Sequence, residues 1–251
     1  MPKFFIKTNQ IKENEIEIIN EDVNHIKNVL RKKIDENIDI CDSETYVDYK
    51  CKIKEINDNN IICSILKKNE YNSDLKIEID IFQGLPKTDK MELVIQKSVE
   101  LGVNKIIPVE LKRCIVKIDK KDELKKIQRW QKISEVAAKQ CGRSNIPKIE
   151  NITNIQNICN IIDNYDKILI AYEEEKDNTL RNEILELKKL EKKNLKIGVL
   201  IGPEGGLAQE EVELLIQNGA KVITLGKRIL RTETVGFVLT SIIMYELGDL
   251  G

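Results

Sequence analysis

The sequence predicts an α/β protein with a mostly parallel, helix-covered sheet, preceded by a small β-barrel or sandwich. Three observations carry this. Residues 1–70 hold short strand-like stretches broken by turn signals such as "NDNN". From residue 76 the rhythm changes to strand, helix, strand, the signature of parallel pairing with crossover helices. Between the two lies a polar stretch, "NEYNSDLK", with the composition of a linker. The expected domains are therefore 1–72 and 73–251.

In the first part the strand candidates are "KFFIK", "EIEII", "NIDIC", "TYVDYKCKIKEI" and "NIICSILKK". One helical interruption, "EDVNHIKNVLRKK", places Val23, Ile26, Val29 and Leu30 on one face. In the second part "KIEIDIF" and "NKIIPVEL" flank a helix, with Asp89 and Glu92 spaced as a capping box and Gly102 as its stop. A longer helix over 122–141 aligns Ile127, Trp130, Ile133, Ala137 and Cys141. Three further apolar strands, "KILIAY", "KIGVLI" and "KVITL", alternate with helices around 178–193, 209–218 and 234–247.

Composition narrows the function classes. The 251 residues are 41% hydrophobic and 33% charged, the balance of a globular chain. Aromatics are only 4%, so Ile, Leu and Val must build the core. No apolar run approaches the roughly 20 residues of a membrane span, and "MPKFFIKTNQ" lacks a secretion signal's apolar core, so a cytoplasmic location is the expectation. Six cysteines without a CxxC pair, and one histidine, His25, argue for reduced thiols and against a metal site. A net charge of −1 leaves room only for a local nucleic-acid-binding patch.

Two segments point to chemistry. "IGPEGGL", residues 201–207, follows a strand and packs three glycines and a proline into seven residues. Neither a P-loop nor G-x-G-x-x-G is present; Pro203 removes an N–H donor and Glu204 would repel a pyrophosphate. What remains is a tight turn suited to an uncharged or cationic ligand. "LGKRILRTETVG", residues 225–236, sets Lys227, Arg228 and Arg231 before an apolar helix that Thr232 or Thr234 could cap. Ligands bind at the carboxyl ends of parallel strands, so "AYEEEKD", "GPEGGLAQEE" and "LGKRILRTETVG" should converge there.

Together, "GPEGGL" and "LGKRILRTET" resemble the ribosomal RNA small subunit methyltransferase E family of the SPOUT superfamily. "GLPKTDKMELVIQKSVELGV", "RC" at 113–114, "RWQKISEVAAKQCGRSNIP" and "HIKNVLR" extend the resemblance over nearly the whole chain. Ala208, where relatives often carry Ser or Thr, and Val235-Gly236, where small alanines are common, depart from it. The resemblance implies a SPOUT domain with a trefoil knot and a PUA-like RNA-binding barrel before it. It implies S-adenosyl-L-methionine as cofactor, held by Ala171, Tyr172, Glu173, Gly202, Pro203, Glu204, Gly205, Gly206, Leu225, Gly226, Ile229, Leu230 and Thr232. It implies methylation at N3 of a uridine in the decoding region of 16S rRNA, within the small ribosomal subunit or as free RNA, by a homodimer without metal or membrane. Arg231 would stabilise the uridine anion; Glu233 is a candidate base or a brace for the loop. His25, Arg31, Lys87, Lys90, Arg113 and Arg143 are the RNA-contact candidates, with ordinary surface or structural roles as their alternative. A non-catalytic ribosome-assembly factor, or the same chemistry on another RNA, stays open.

Overall fold

The computed structural model describes residues 3–69, 77–87, 89–248 and 250. All but the first residue of the predicted linker, and the predicted boundary at 72/73, lie outside them. The chain forms two compact units, Met1–Ser73 with Val136–Ile146, and Asp74–Glu135 with Pro147–Gly251.

In the first unit, β1 (Lys3–Ile6), β2 (Ile11–Lys12), β3 (Glu15–Ile19), β4 (Asn37–Asp42), β5 (Asp48–Ile56) and β6 (Asn60–Asn69) form one sheet ordered β1-β4-β5-β6-β3-β2. Among the described residues of this unit, only β1 and β4 pair in parallel. Alternation sends Phe4 and Ile6, Ile16 and Ile18, Ile38 and Ile40, Cys51 and Ile53, and Ile61 and Cys63 inward. All meet in a single cluster, so the sheet wraps round its own core. Helix α1 (Glu21–Asn24) adds Val23 and runs into one π turn, His25–Val29, in which the Leu30 amide donates to the His25 carbonyl at 2.9 Å. The wider turn explains a departure from the predicted apolar face: Val23 and Ile26 are buried, Leu30 is partly so, and Val29 points to solvent.

The second unit holds β7 (Ile77–Gly84), β8 (Lys105–Val109), β9 (Lys148–Ile149), β10 (Lys167–Ala171), β11 (Leu195–Ile201) and β12 (Lys221–Ile223), ordered β12-β10-β11-β7-β8-β9. Every pairing is parallel. The α/β class predicted from the strand–helix rhythm is therefore the one observed. The helices are α2 (Lys90–Glu100), α3 (Lys120–Cys141), α4 (Ile155–Ile161), α5 (Leu180–Lys189), α6 (Gln209–Gln217) and α7 (Thr232–Leu247). Buried on both faces, β11 is a near-continuous apolar run, as a central parallel strand must be, whereas β7 sets Glu78, Asp80 and Gln83 among its apolar residues. Gly198 on β11 lets Ile168 and Phe82 close in; a Cβ there would meet them at 2.9 and 3.0 Å.

Local signals divide into those that hold and those that do not. Gly102 ends α2 at φ 96°, with Val103 N–H returning to the Ser98 carbonyl, as the C-terminal stop requires. Asp89 is the N-cap residue, but its side chain makes no capping bond; Glu92 instead pairs with Arg129 Nη2 at 2.6 Å. On α3, Trp130 and Ala137 are buried as expected, but Cys141 is exposed and Ser134 takes a place in the face, donating to the Pro147 carbonyl at 2.6 Å. The β9 strand and α4 had no counterpart in the sequence reading.

Candidate functional site

Since every strand of the second sheet runs the same way, the ends of β10, β11 and β12 lie along one edge, and the loops after them start there. Those loops, with the first turn of α7 and Lys90 of α2, enclose a cavity of about 330 Å³. Ala171, Glu173, Gly202, Pro203, Glu204, Gly206, Ile229, Leu230, Arg231 and Thr232 line it, together with Lys90, Ile201 and Val235. Ten residues singled out in the three loops thus share one space. Tyr172, Gly205, Leu225, Gly226 and Glu233 do not line it, although each belongs to one of the same segments.

The glycine loop is shaped by close approach. Gly206 has φ 70°, a conformation L side chains rarely adopt, and a Cβ there would collide with the Glu173 carboxylate. Its amide closes a turn onto the Pro203 carbonyl at 2.9 Å. At the end of β7, a Cβ on Gly84 would stand 2.8 Å from the Pro203 nitrogen, so strand and loop touch through backbone. Gly205 faces Arg113, whose Nη1 donates to the Gly205 carbonyl at 3.2 Å.

Glu204 does not point free into the cavity. Its carboxylate accepts from the Lys87 amide at 3.1 and 3.2 Å and pairs with Lys90 Nζ at 3.1 Å. Burial opposes its ionisation, but hydrogen bonds from its own amide, from Lys90 and from Lys87 prevail and hold it below the usual carboxylate range. Lys90 also reaches Glu233 at 3.2 Å, and its ammonium is held above the usual lysine range, first by Glu204. Arg231 is the N-cap residue of α7; its carbonyl receives the Thr234 and Val235 amides, while its exposed guanidinium has no hydrogen bond or ion pair among the described residues.

Thr232 and Thr234 do not cap α7, contrary to expectation. No side chain caps that end, because Thr232 is already inside the helix and its hydroxyl is spent elsewhere, donating to the Gly202 carbonyl at 2.6 Å and accepting from Gln83 Nε2 at 2.9 Å. Ala208 is the N-cap of α6; with no side-chain oxygen available, Glu211 supplies half of a capping box by accepting from the Ala208 amide at 3.0 Å.

Of the remaining cations singled out, Lys87 and Arg113 are exposed and belong to the cavity's unit. His25, Arg31 and Arg143 belong to the first unit. His25 packs edge-on against Phe4 with ring centroids 5.8 Å apart, and Arg31 is exposed at φ 52°. Cys114 is buried, and burial raises its thiol's pKa, which does not suit a nucleophile. Among the described residues no three His, Cys, Asp or Glu side chains are arranged to hold a metal, and no helix is long and apolar enough to cross a membrane.

The chain matches two family models: an RNA methyltransferase domain over residues 73–244 and an RNA methyltransferase PUA domain over 18–66. Ribosomal RNA small subunit methyltransferase E of Bacillus subtilis (strain 168) is 34% identical over 98% of this chain and 97% of its own. Its namesake from Mesomycoplasma hyopneumoniae (strain 232) is 33% identical over 97% and 99%. The crystal structure of the Neisseria gonorrhoeae namesake bound to S-adenosyl methionine superposes with a TM-score of 0.84 at 27% identity, covering all of both chains. The chain belongs to the ribosomal RNA small subunit methyltransferase E family.

Proposed function

We propose that this protein transfers a methyl group from S-adenosyl-L-methionine to N3 of a uridine in the decoding region of 16S rRNA. The observation that carries the reading is Arg231, an unpaired cation on the wall of a cavity whose glycine loop is built for close approach but not for phosphate. The residues suit the cofactor. Pro203 and Glu204 disfavour a pyrophosphate, while Glu173 on the cavity wall offers negative charge to a sulfonium or an ammonium. Gly202 and Gly206 let the loop close on itself and on Glu173 where a Cβ would collide, and the cavity of about 330 Å³ falls within the range of small-ligand sites.

When bound, S-adenosyl-L-methionine supplies an electrophilic methyl group. The protein's task is to make the uridine a nucleophile. N3 carries a weakly acidic imide proton, and its loss spreads charge over the two flanking carbonyl oxygens. Arg231 would donate to one of those oxygens, a fixed charge worth about 3–4 kcal/mol on oxyanion-hole precedent. Glu233, in the first turn of α7, would accept the proton or brace the loop through Lys90. His25, Arg31 and Arg143 on the PUA-like domain, and Lys87 and Arg113 beside the cavity, would contact RNA phosphates. Further parts of the proposal are the domain boundary at 72/73, a threaded C-terminal knot, a cytoplasmic location and a homodimer. Exposed Ile242 and Tyr245 on α7 support a partner surface there.

Calorimetry with S-adenosyl-L-methionine should give one site per chain, and absence of any binding would refute the enzyme reading. Methyl transfer to 30S particles and to naked 16S rRNA from cells lacking this gene identifies the substrate. Mass spectrometry should then find one new N3-methyluridine; a methyl group on another atom or another RNA would refute the finer assignment.

A further inference from the structure

Gln83 lies fully buried near the end of β7, one residue before the close approach at Gly84. Ile79, Ile81 and Phe82 before it are apolar and equally buried. A carboxamide is a poor choice for packing alone, because each polar atom must find a partner away from water. Both N–H donors do so: Nε2 reaches the Gly84 carbonyl at 3.0 Å and Thr232 Oγ1 at 2.9 Å. Oε1 is buried without a hydrogen-bond partner among the described residues. Exchanging the amide's oxygen and nitrogen would set one acceptor against another at Gly84, so the donors fix the orientation. Thr232 then donates its own hydroxyl to the Gly202 carbonyl at 2.6 Å. The chain of hydrogen bonds has a direction and ends on the glycine loop.

Each link belongs to a different element. Gln83 is on β7, Thr232 opens α7, and Gly202 begins the loop after β11. The partners are 149 and 30 residues apart in sequence, and neither bond belongs to a helix or sheet ladder. Thr232 and Gly202 line the cavity, as does Arg231 beside Thr232. We propose that Gln83 is a positioning residue: acting through Thr232, it sets the spacing between the glycine loop and the helix end that carries Arg231. This rests on the methyl-transfer reading of the cavity. The unpaired Oε1 fits such a role, since a polar group that packing does not favour is retained where a site needs it.

Hydrogen exchange on the cofactor-free protein tests the relay without reference to activity. The reporters are the Gly206 amide, which closes the loop, and the Thr234 and Val235 amides of the first α7 turn. In Gln83→Met and in Thr232→Val, both groups of amides should exchange faster together, by about tenfold, while melting remains cooperative. The double variant should be no faster than the faster single, because either change breaks the same chain. Thr232→Ser, which keeps the hydroxyl, should stay within about twofold of wild type in exchange, whereas the other two also lose about tenfold in kcat. Acceleration confined to one segment, or effects that multiply in the double variant, would overturn the proposal. A wild type that exchanges as described but binds no S-adenosyl-L-methionine would overturn the methyl-transfer reading instead.

Discussion

Lys90 Nζ lies 3.2 Å from Glu233 Oε2 and, on its other side, 3.1 Å from Glu204 Oε1. One ammonium from α2 thereby ties the glycine loop to the first turn of α7. Its charge is committed to the site's own carboxylates, which weighs against a primary role in gripping RNA phosphates. Lys90→Met should leave two carboxylates facing each other unscreened. The expected result is a loss of at least about tenfold in kcat, with RNA affinity within about threefold, measured by filter binding at fixed salt. A uniform drop in RNA affinity, with a shallower salt dependence and kcat preserved, would return Lys90 to the phosphate contacts.

Arg231 is the site's uncommitted cation, so its removal should separate binding from chemistry. For Arg231→Ala, the calorimetric affinity for S-adenosyl-L-methionine should stay within about threefold while methyl transfer falls by about 10²–10³. Equal losses of both would make the residue structural. Neighbouring Ile229 is 88% exposed on the same wall, and its exposure makes it the better candidate for ligand contact alone.

The Glu204–Lys90 pair gives a pH dependence whose sign follows from the two shifts. The carboxyl is held below its ordinary 4.5 and the ammonium above its ordinary 10.5. Stability from Glu204 is present above the unfolded carboxyl value and is lost as pH falls through the lower folded one; stability from Lys90 is present below its unfolded value and is lost as pH rises through the higher folded one. Glu204→Gln should therefore lower Tm by a constant amount between about pH 6 and 9, and the difference from wild type should vanish in acid. A difference that persists at low pH would mean packing, not charge, is what the substitution removes.

Much of this architecture was legible in the chain. The lysine-led strands and the glycine and "RTET" segments have strong local signals, and parallel pairing then brings their loops to one edge. What stayed hidden has physical causes. The α4 segment is rich in Asn, a weak helix former, and depends on Asn154, whose side chain accepts from the Asn157 amide at 3.0 Å. The two-residue β9 exists only because β8 offers it an edge. Gln83 reads in sequence as one of three polar residues in β7, with Glu78 and Asp80, and nothing local names a partner 149 residues away. The charges of Lys90, Glu204 and Glu233 were visible, but not that they meet. The end of α3 beyond Val136 joins the first unit, a long-range outcome that helical periodicity cannot express.

Ala208 offers a test of local physics separate from function. It starts α6 at φ −75° and ψ 144°, the extended geometry of an N-cap, and lacks only the side-chain oxygen. Ala208→Ser should complete the box with Glu211 and add about 1 kcal/mol, or a rise of about 2–4 °C in Tm, with methyl transfer unchanged. A lower Tm would show that the buried methyl has no room for the hydroxyl.

Glycine substitutions can distinguish backbone strain from the shape of the cavity. Gly206 and Gly219 both have positive φ, at 70° and 103°, so alanine is strained at either by roughly 1–2 kcal/mol. They differ in surroundings: a Cβ on Gly206 meets the Glu173 carboxylate in the cavity wall, whereas one on Gly219 meets nothing within 4 Å. Thermal melts should therefore fall for both variants, by about 2–4 °C for each kcal/mol. Affinity for S-adenosyl-L-methionine should fall by about tenfold or more only for Gly206→Ala, because only there does the new methyl displace a residue lining the site. Equal affinities would mean that Glu173 swings aside freely and that its position beside Gly206 does not shape the cavity; equal losses would mean that strain at either glycine reaches the site through the fold.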